Sequence, residues 1–420
     1  MASLLFGSLL IFFLIGVPIA ISLGLASAAA VWWTGDIPLL ILVQRAFTSI
    51  DSFPLMAVPF FVLAGKLMEV GGISERLIRF ANTLTGHFKG GLGMVAVVTA
   101  MFFSAISGSS AATTAAIGGI LIPAMIKKGY DRNFAGSISA VSGELGVIIP
   151  PSVPLIVFGV ATGTSIGDLF IAGILPGVLI AVSLLLLVYF IAVRRGYPSD
   201  DKATFIERWS GFKSAALALL MPIIILGGIY GGIFTPTEAA AVAVVYAFII
   251  GAFVYRKVTP KVLMKALSES AVTTSIVMII IANAGLFGLI LSREGIPAQV
   301  TDFFIGLSTN PIIFLLLINI LLIIVGMFME TSASIIILAP ILTPVAVSIG
   351  VDPVHFGIIM VVNLALGMCT PPVGVNLFIA AQIANVKLER LAKALVWFFV
   401  VLIIDLLLIS FIPQITLLFL

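Results

Sequence analysis

The stretch GELGVIIPPSVPLIVFG, Gly143 to Gly159, decides the fold. It is apolar enough to lie in a lipid bilayer, yet it carries adjacent prolines, Pro150 and Pro151, a third at Pro154, and glycine at both ends. A proline removes a backbone donor, clashes with the preceding turn, and pushes the residue before it out of helical geometry. A helix through this stretch must unwind near its middle and free its carbonyls. Hydrocarbon has no donors to offer them, so such a break is tolerated only where protein covers it or where it lines a wet cavity.

The remaining sequence supplies the bilayer context. Of 420 residues, 61% are hydrophobic and 9% charged, far from the composition of soluble domains. Apolar runs of eighteen residues or more recur from Leu4 to the C-terminus, and roughly ten to twelve spanning or half-spanning helices are expected. The opening MASLLFGSLLIFFLIGVPIA lacks the basic region and polar cleavage site of a signal peptide and reads as a retained first helix. The longest polar stretch, Gly196 to Lys213, is too short to fold alone. A soluble catalytic or ligand-capturing domain is therefore expected on another polypeptide. One cysteine, Cys369, and two distant histidines, His87 and His355, give no disulfide and no zinc site. No GxxxxGK[ST] loop occurs, so ATP is not expected as the direct energy source.

A second double proline stands in LALGMCTPPVGVNLFIA, Leu364 to Ala380. Sliding the sequence by 221 residues lays Pro150 and Pro151 on Pro371 and Pro372, and Ile120, Leu121, Pro123, Gly129, Asp131, Gly136 and Gly146 on identical residues. About a dozen identities in roughly thirty residues mark an internal repeat. Lysine and arginine favour the cytoplasmic side. The segment before the first break lies among His87, Lys89, Lys127, Lys128 and Arg132, whereas its counterpart between Asn310 and His355 has neither lysine nor arginine. The copies are therefore expected to be inverted, with the N-terminus cytoplasmic, the C-terminus periplasmic and an extra helix near Phe212 to Gly232 joining them. Residues 1–195 form the first repeat, 196–235 the connection and 236–420 the second.

A segment with both ends on one side must turn back inside the membrane. Residues 90–128 carry SGSSAATT at the predicted tip of such a re-entrant hairpin, and residues 311–350 carry METSAS; each hairpin is expected to be built of half-length helices. Each precedes an interrupted helix, about 133–163 and 353–384. The fold class is thus an all-α polytopic membrane protein with inverted repeats, two re-entrant hairpins and two interrupted helices, the midplane arrangement of a secondary transporter. Na+ wants hard oxygen ligands. The first copy offers Ser104, Ser107 and carbonyls at Gly146, Ile149 and Pro151; the second offers carbonyls at Gly326 and Gly367 with the Thr370 hydroxyl. For a substrate carboxylate, Ser109, Ser110, Thr113 and Thr114 stand on one tip, Thr331, Ser332 and Ser334 on the other, and Asn376 just beyond the second break.

Simpler roles compete at each position. A lone proline kink is most often structural, and Ser or Thr in a membrane helix usually bonds back to its own helix; it is the pairing of kink with hairpin, twice, that outweighs them. Glu144 and Glu330 are costly charges that can hold a cation or proton, or merely cap a half-helix. Asp405 is expected to face a neighbouring helix or subunit, and Cys369 to pack. Ser74 to Phe88 reads as an interfacial amphipathic helix, as does a stretch opened by Thr259 and Pro260.

These motifs, SAISGSSAATTAAIGGILIPAMIKKGYD, GELGVIIPPSVPLIVFG with TGTSIGDLFIAGILPG, and GMFMETSASIIILAPILTPVA with LALGMCTPPVGVNLF, resemble the large membrane (M, DctM-like) subunit of the tripartite ATP-independent periplasmic (TRAP) transporters. The resemblance covers essentially the whole chain. It implies an elevator transporter of the bacterial inner membrane driven by a Na+ gradient. It also implies a soluble periplasmic substrate-binding protein, a small membrane (Q) subunit on a separate chain, an organic acid substrate of the sialic acid or C4-dicarboxylate class, and no nucleic acid. An ion channel or a proton-coupled carrier of the same fold is the alternative. An intramembrane serine protease is weaker, since neither histidine lies on a membrane helix near SGSS and no catalytic aspartate pair appears.

Overall fold

A computed structural model describes residues 1–35, 38–307 and 310–420. Among the described residues the chain is helical without a strand. In order, α1 spans Ala2–Leu14, α2 Ile19–Thr34, α3 Leu39–Ile50, α4 Ala57–Val70, α5 Ile73–Thr85, α6 Gly91–Ser107 and α7 Ser110–Lys127. Then follow α8 Arg132–Gly143, α9 Leu145–Ile148, α10 Val153–Thr162, α11 Ile166–Arg195, α12 Phe205–Tyr230, α13 Pro236–Ile249 and α14 Pro260–Arg293. Last come α15 Ile296–Leu307, α16 Pro311–Phe328, α17 Thr331–Ser348, α18 Pro353–Gly367, α19 Val375–Ala384, α20 Leu388–Phe411 and α21 Gln414–Leu417. Nine of the described helices are long and apolar enough to cross a membrane, or ten if Arg132–Ile148 and Val153–Thr162, bent by 41°, count as one span.

Local chemistry sets many of the boundaries. Thr204 with Glu207 and Thr235 with Glu238 form reciprocal capping boxes at the starts of α12 and α13. Thr259 caps α14 with Pro260 at its first position. The joining helix, expected near Phe212, begins earlier, at Phe205, because the Thr204 capping box nucleates it.

The 221-residue offset reappears in the elements. The 18-residue α7 and α17 start and end that far apart. Asp131 caps α8 through Phe134 N at 3.0 Å, and Asp352 caps α18 through Val354 N at 2.8 Å. The packing crosses between copies: α7 lies against α19, and α17 against α10. The Pro150–Pro151 and Pro371–Pro372 peptide bonds are both cis.

Two details differ from the sequence-based expectation, and a third sets the two copies apart. The arms α6, α7, α16 and α17 are 17 or 18 residues long, about 26–27 Å at 1.5 Å per residue, close to a full apolar thickness of about 30 Å rather than half of it. Pro123, Pro340 and Pro344 lie inside these helices without ending them. Next, Thr259 and Pro260 open a 34-residue helix, not a short amphipathic piece. In the first copy the corresponding helix stops at Ile50 and the chain turns through Phe53–Met56, which contains Pro54; the second copy has no proline there and runs on to Arg293. Finally, Pro150 and Pro151 are buried whereas Pro371, Pro372 and Val373 are exposed.

Two groups of helices can be distinguished by packing. One holds α6–α11 and α16–α20, tied together across α11 and α20, where Ser183 Oγ donates to Asp405 Oδ1 at 2.8 Å. The other holds α1–α5 and α12–α14, and the two meet where α5 packs on α6 and α14 on α17. Cavities of about 360, 230 and 480 Å³ lie along the seam between the groups.

Candidate functional site

The first tip is built by a helix end and a helix start. α6 closes on Gly108, whose φ of 62° is left-handed and suits glycine, and the Ser109 hydroxyl accepts from Ala112 N at 3.4 Å to cap α7. Ser107 Oγ and Thr113 Oγ1 share a hydrogen bond of 2.8 Å, and Thr113 also donates to Ser109 O at 2.8 Å. This tip sits on the first break. Val153 N donates to Gly108 O at 3.3 Å, a Cβ on Gly108 would lie 3.1 Å from Pro151 O, and one on Gly146 would lie 2.5 Å from both Ser109 O and Thr113 Oγ1. Ser107, Ser109, Thr113, Gly146 and Pro151 are thus brought together. One expected partner stands apart from this knot: Ser104 is buried one turn earlier with its hydroxyl donated to Ala100 O at 2.6 Å. Ile149, expected to contribute its carbonyl, turns its side chain against Gly177 on α11.

The second tip is organised by a carboxylate. Glu330 caps α17, accepting from Ser332 N at 2.8 Å, Ala333 N at 3.1 Å and the Ser332 hydroxyl at 3.1 Å. Of the two roles open to it from sequence, the cap is the one its contacts serve. Ser334 Oγ donates to Glu330 O at 3.0 Å. One turn back, Gly326 and Gly367 meet backbone to backbone: a Cβ on Gly367 would lie 2.5 Å from Gly326 Cα. The Thr370 hydroxyl bonds back to Leu366 O at 2.9 Å. Val373 N donates to Met327 O at 3.2 Å, fastening the second break to α16.

Both tips converge on Met368, at the start of the second break. Ser110 Oγ lies 3.6 Å and Thr331 Oγ1 2.9 Å from its sulfur. Around it the interior is polar and incompletely paired. Asn376 is fully buried with Nδ2 3.8 Å from Cys369 Sγ and Oδ1 without a partner. Cys369 Sγ lies beside Glu144 but directs its bond to Ala140 O at 3.2 Å. Glu144 is fully buried, and neither of its oxygens has a hydrogen-bond partner. Thr114 Oγ1, against Gly143, is also unpartnered.

Sequence reasoning missed two features. Met368 carries no polar signal, and only the fold reveals its place between the tips. Lys66, within the apolar run FFVLAGKLMEV, could have been flagged as a charge inside a membrane helix. It lines the 360 Å³ cavity together with Ser107 and Ser109 and pairs with Glu69 at 3.1 Å and Glu269 at 2.9 Å.

Comparison with known proteins places this arrangement. In fold, the chain resembles the Alcanivorax borkumensis YdaH transporter (TM-score 0.61, 15% identity, 88% of this chain and 86% of that one). It resembles MtrF from Neisseria gonorrhoeae, described as one of a class of antimetabolite efflux pumps, to the same degree (TM-score 0.61, 15% identity, 89% and 83% covered). In sequence, it is 46% identical to the isethionate TRAP transporter permease protein DctMQ of Oleidesulfovibrio alaskensis over 99% of this chain and 66% of that longer protein. It is 40% identical to the C4-dicarboxylate TRAP transporter large permease protein DctM of Rhodobacter capsulatus over 99% and 98%. It is 41% identical to the sialic acid TRAP transporter large permease protein SiaM of Vibrio cholerae over 96% and 94%. The family model of the tripartite ATP-independent periplasmic transporter, DctM component, matches residues 6–415. The chain belongs to this family as a DctM-like large permease subunit, a multi-span membrane transport protein and not an enzyme.

Proposed function

We propose that this subunit carries an organic acid, of the sialic acid or C4-dicarboxylate class, across the bacterial inner membrane by Na+-coupled symport and an elevator movement. The observation that carries the reading is the meeting of both tips at one break, where Ser110 and Thr331, 221 residues apart, approach Met368 Sδ. Unwound carbonyls and helix N-termini at such a point supply what a cation and a carboxylate need.

Re-entrance is supported by depth: the α6–α7 tip rests on Pro151 and Val153, near the midpoint of the span from Arg132 to Thr162. Inversion is supported by the lysines and arginines at the open end of that hairpin and their absence from α16, α17 and the turns flanking them. The N-terminus is then cytoplasmic and the C-terminus periplasmic. Residues 1–195 and 236–420 are the two repeats, and 196–235 connects them. The cavities on the seam support a moving body, α6–α11 with α16–α20, against a scaffold.

One Na+ is assigned to Ser104 and Ser107 with the carbonyls of Gly146, Ile149 and Pro151. A second is assigned to the carbonyls of Gly326 and Gly367 with Thr370. Ser104 and Thr370 must turn their hydroxyls from their own helices to take part, which Ser107 need not do. Ser109, Ser110, Thr113, Thr114, Thr331, Ser332, Ser334 and Asn376 surround the substrate. A soluble periplasmic binding protein delivers it, and a small membrane subunit accompanies the scaffold.

A proton-coupled carrier is the second reading, favoured by the buried, unpartnered carboxyl of Glu144. Uptake of labelled acid into proteoliposomes separates the two. Sodium coupling requires uptake that follows an imposed Na+ gradient, with apparent Na+ affinity lowered several-fold by Ser107→Ala and by Thr370→Ala. Uptake that follows a pH gradient, ignores Na+ and disappears in Glu144→Gln would establish the proton instead.

A further inference from the structure

Two exposed cations line one groove without a partner. The groove, of about 600 Å³, runs between α5 and the open end of the first hairpin. Arg79 lines it from α5, and Lys127 from the last turn of α7. Among the described residues neither forms an ion pair or a hydrogen bond. The other charges of the lining are already met. Lys128 pairs with Asp200 Oδ1, and Asn82 Nδ2 lies 3.5 Å from Asp200 Oδ2. The Asp200 amide donates to Gly86 O at 2.9 Å, which ties that carboxylate's loop to the end of α5. Glu75 stands in the first turn of α5, where the helix dipole favours a carboxylate. The lining thus carries three basic and two acidic side chains, and the donors left over belong to Arg79 and Lys127.

The floor of the groove decides which anion they meet. Ile78, Leu92, Ile120, Leu121 and Ala124 line it between the charges, and Ile120 is 39% exposed, so apolar surface continues outward from the cations. A free inorganic anion would leave that surface to water. A phospholipid covers it with an acyl chain while its phosphate stays at the polar end, the pattern of basic pockets between membrane helices. Guanidinium offers a phosphate two parallel donors, and the lysine adds a point charge from the facing helix. A zwitterionic headgroup would bring its own ammonium toward these two cations, and like charges so placed cost affinity. We infer that this groove is a binding site for an anionic phospholipid, its phosphate diester held between Arg79 and Lys127. Since α5 belongs to one group of helices and α7 to the other, the lipid bridges the seam at the end of the hairpin away from its tip. The site stands whether Na+ or a proton drives transport.

Native mass spectrometry of the full-length chain in detergent tests this, with phosphatidylglycerol and phosphatidylcholine of identical acyl chains as probes. The wild-type protein should retain phosphatidylglycerol at least threefold more than phosphatidylcholine. Arg79→Gln combined with Lys127→Gln should remove most of that excess, and Arg79→Lys combined with Lys127→Arg should keep it. Lys202→Gln with Lys213→Gln, which removes two exposed charges outside the groove, should leave the excess unchanged. Phosphatidylglycerol should also raise the melting temperature of the wild-type protein and of the charge-conserving variant, but not that of the Arg79 and Lys127 glutamine variant. Equal retention of the two lipids by the wild-type protein overturns the inference. So does an equal loss in both glutamine pairs, which would mean that the lipid follows overall charge rather than this groove. Displacement of the lipid by millimolar inorganic phosphate would reveal a plain anion site and overturn the lipid assignment.

Discussion

Gly367 shows how a single missing side chain can hold a membrane site together. Its Cα faces Gly326 closely enough that a methyl group would meet Gly326 Cα at 2.5 Å and Ile323 O at 2.9 Å. Both obstacles are backbone, which cannot swing aside. Gly367→Ala should therefore push α16 from α18 and cost about 1–3 kcal/mol, the usual range for overpacking. Gly119→Ala on α7, where no atom lies within 4 Å of the new Cβ, should be neutral or slightly stabilising, by up to ~1 kcal/mol, because alanine is the better helix former. Melting temperatures of the two variants in one detergent check the contrast, and equal values would deny the close contact. At this scale the sequence was partly legible. The repeat singled out Gly146 and Gly367 as equivalent positions, and both are packed against the neighbouring hairpin. The hydroxyls were less legible, because a serine can face an ion or its own helix with no change in the pattern of residues, and Ser104 and Thr370 chose the helix. Lys66 was overlooked because its partner Glu269 lies 203 residues away and only the meeting of α4 with α14 pairs them.

Among elements, the broken helix of the first copy is the clearest case of sequence dictating shape. Pro150 and Pro151 stop α9, and Ser152 then restarts the chain as α10, accepting from Leu155 N at 3.4 Å while donating to Val147 O at 2.5 Å. The restart leaves Val153 N free to reach Gly108 O, so the break and the hairpin tip are fixed by one another. Replacing both prolines with alanine should let helix run through the gap and withdraw the carbonyls offered there. The variant should still insert and purify as a folded protein, since its apolar helices are untouched, yet its uptake should fall at least tenfold; wild-type uptake would make the break incidental. Break positions were readable because proline acts locally. The lengths of the arms were not, because Pro123, Pro340 and Pro344 are accommodated inside helices whose neighbours cover them. Nor was the continuity of α14, because the two copies have diverged at the residues that would stop it: Pro54 has no counterpart there.

For the whole molecule, the question is which way each copy faces. Lys127 and Ser348 are equivalent, 221 residues apart at the last positions of α7 and α17, and both are exposed. A cysteine at either site is chemically alike, so any difference in labelling reports the compartment it meets. The native thiol, Cys369, is buried with its bond directed to Ala140 O, and Cys369→Ser gives a background without it. Lysine and arginine cluster at the end of the first hairpin, with Lys127, Lys128 and Arg132 close by and Lys128 paired with Asp200 in the polar loop before α12. No such charge stands from Pro311 to His355. Moving lysine across the bilayer is unfavourable, and on the reading proposed above its bias toward the cytoplasm orients the first hairpin. The second, made of the same elements without those anchors, is free to enter from the other side. An impermeant maleimide added to intact cells stripped of their outer membrane should thus label Ser348→Cys and spare Lys127→Cys, and inside-out vesicles should give the reverse. Labelling of both from one side would mean that the copies are parallel. The two tips would then have to approach Met368 from the same face of the membrane, and no rocking or sliding of one body against the other could expose that point first to one compartment and then to the opposite one.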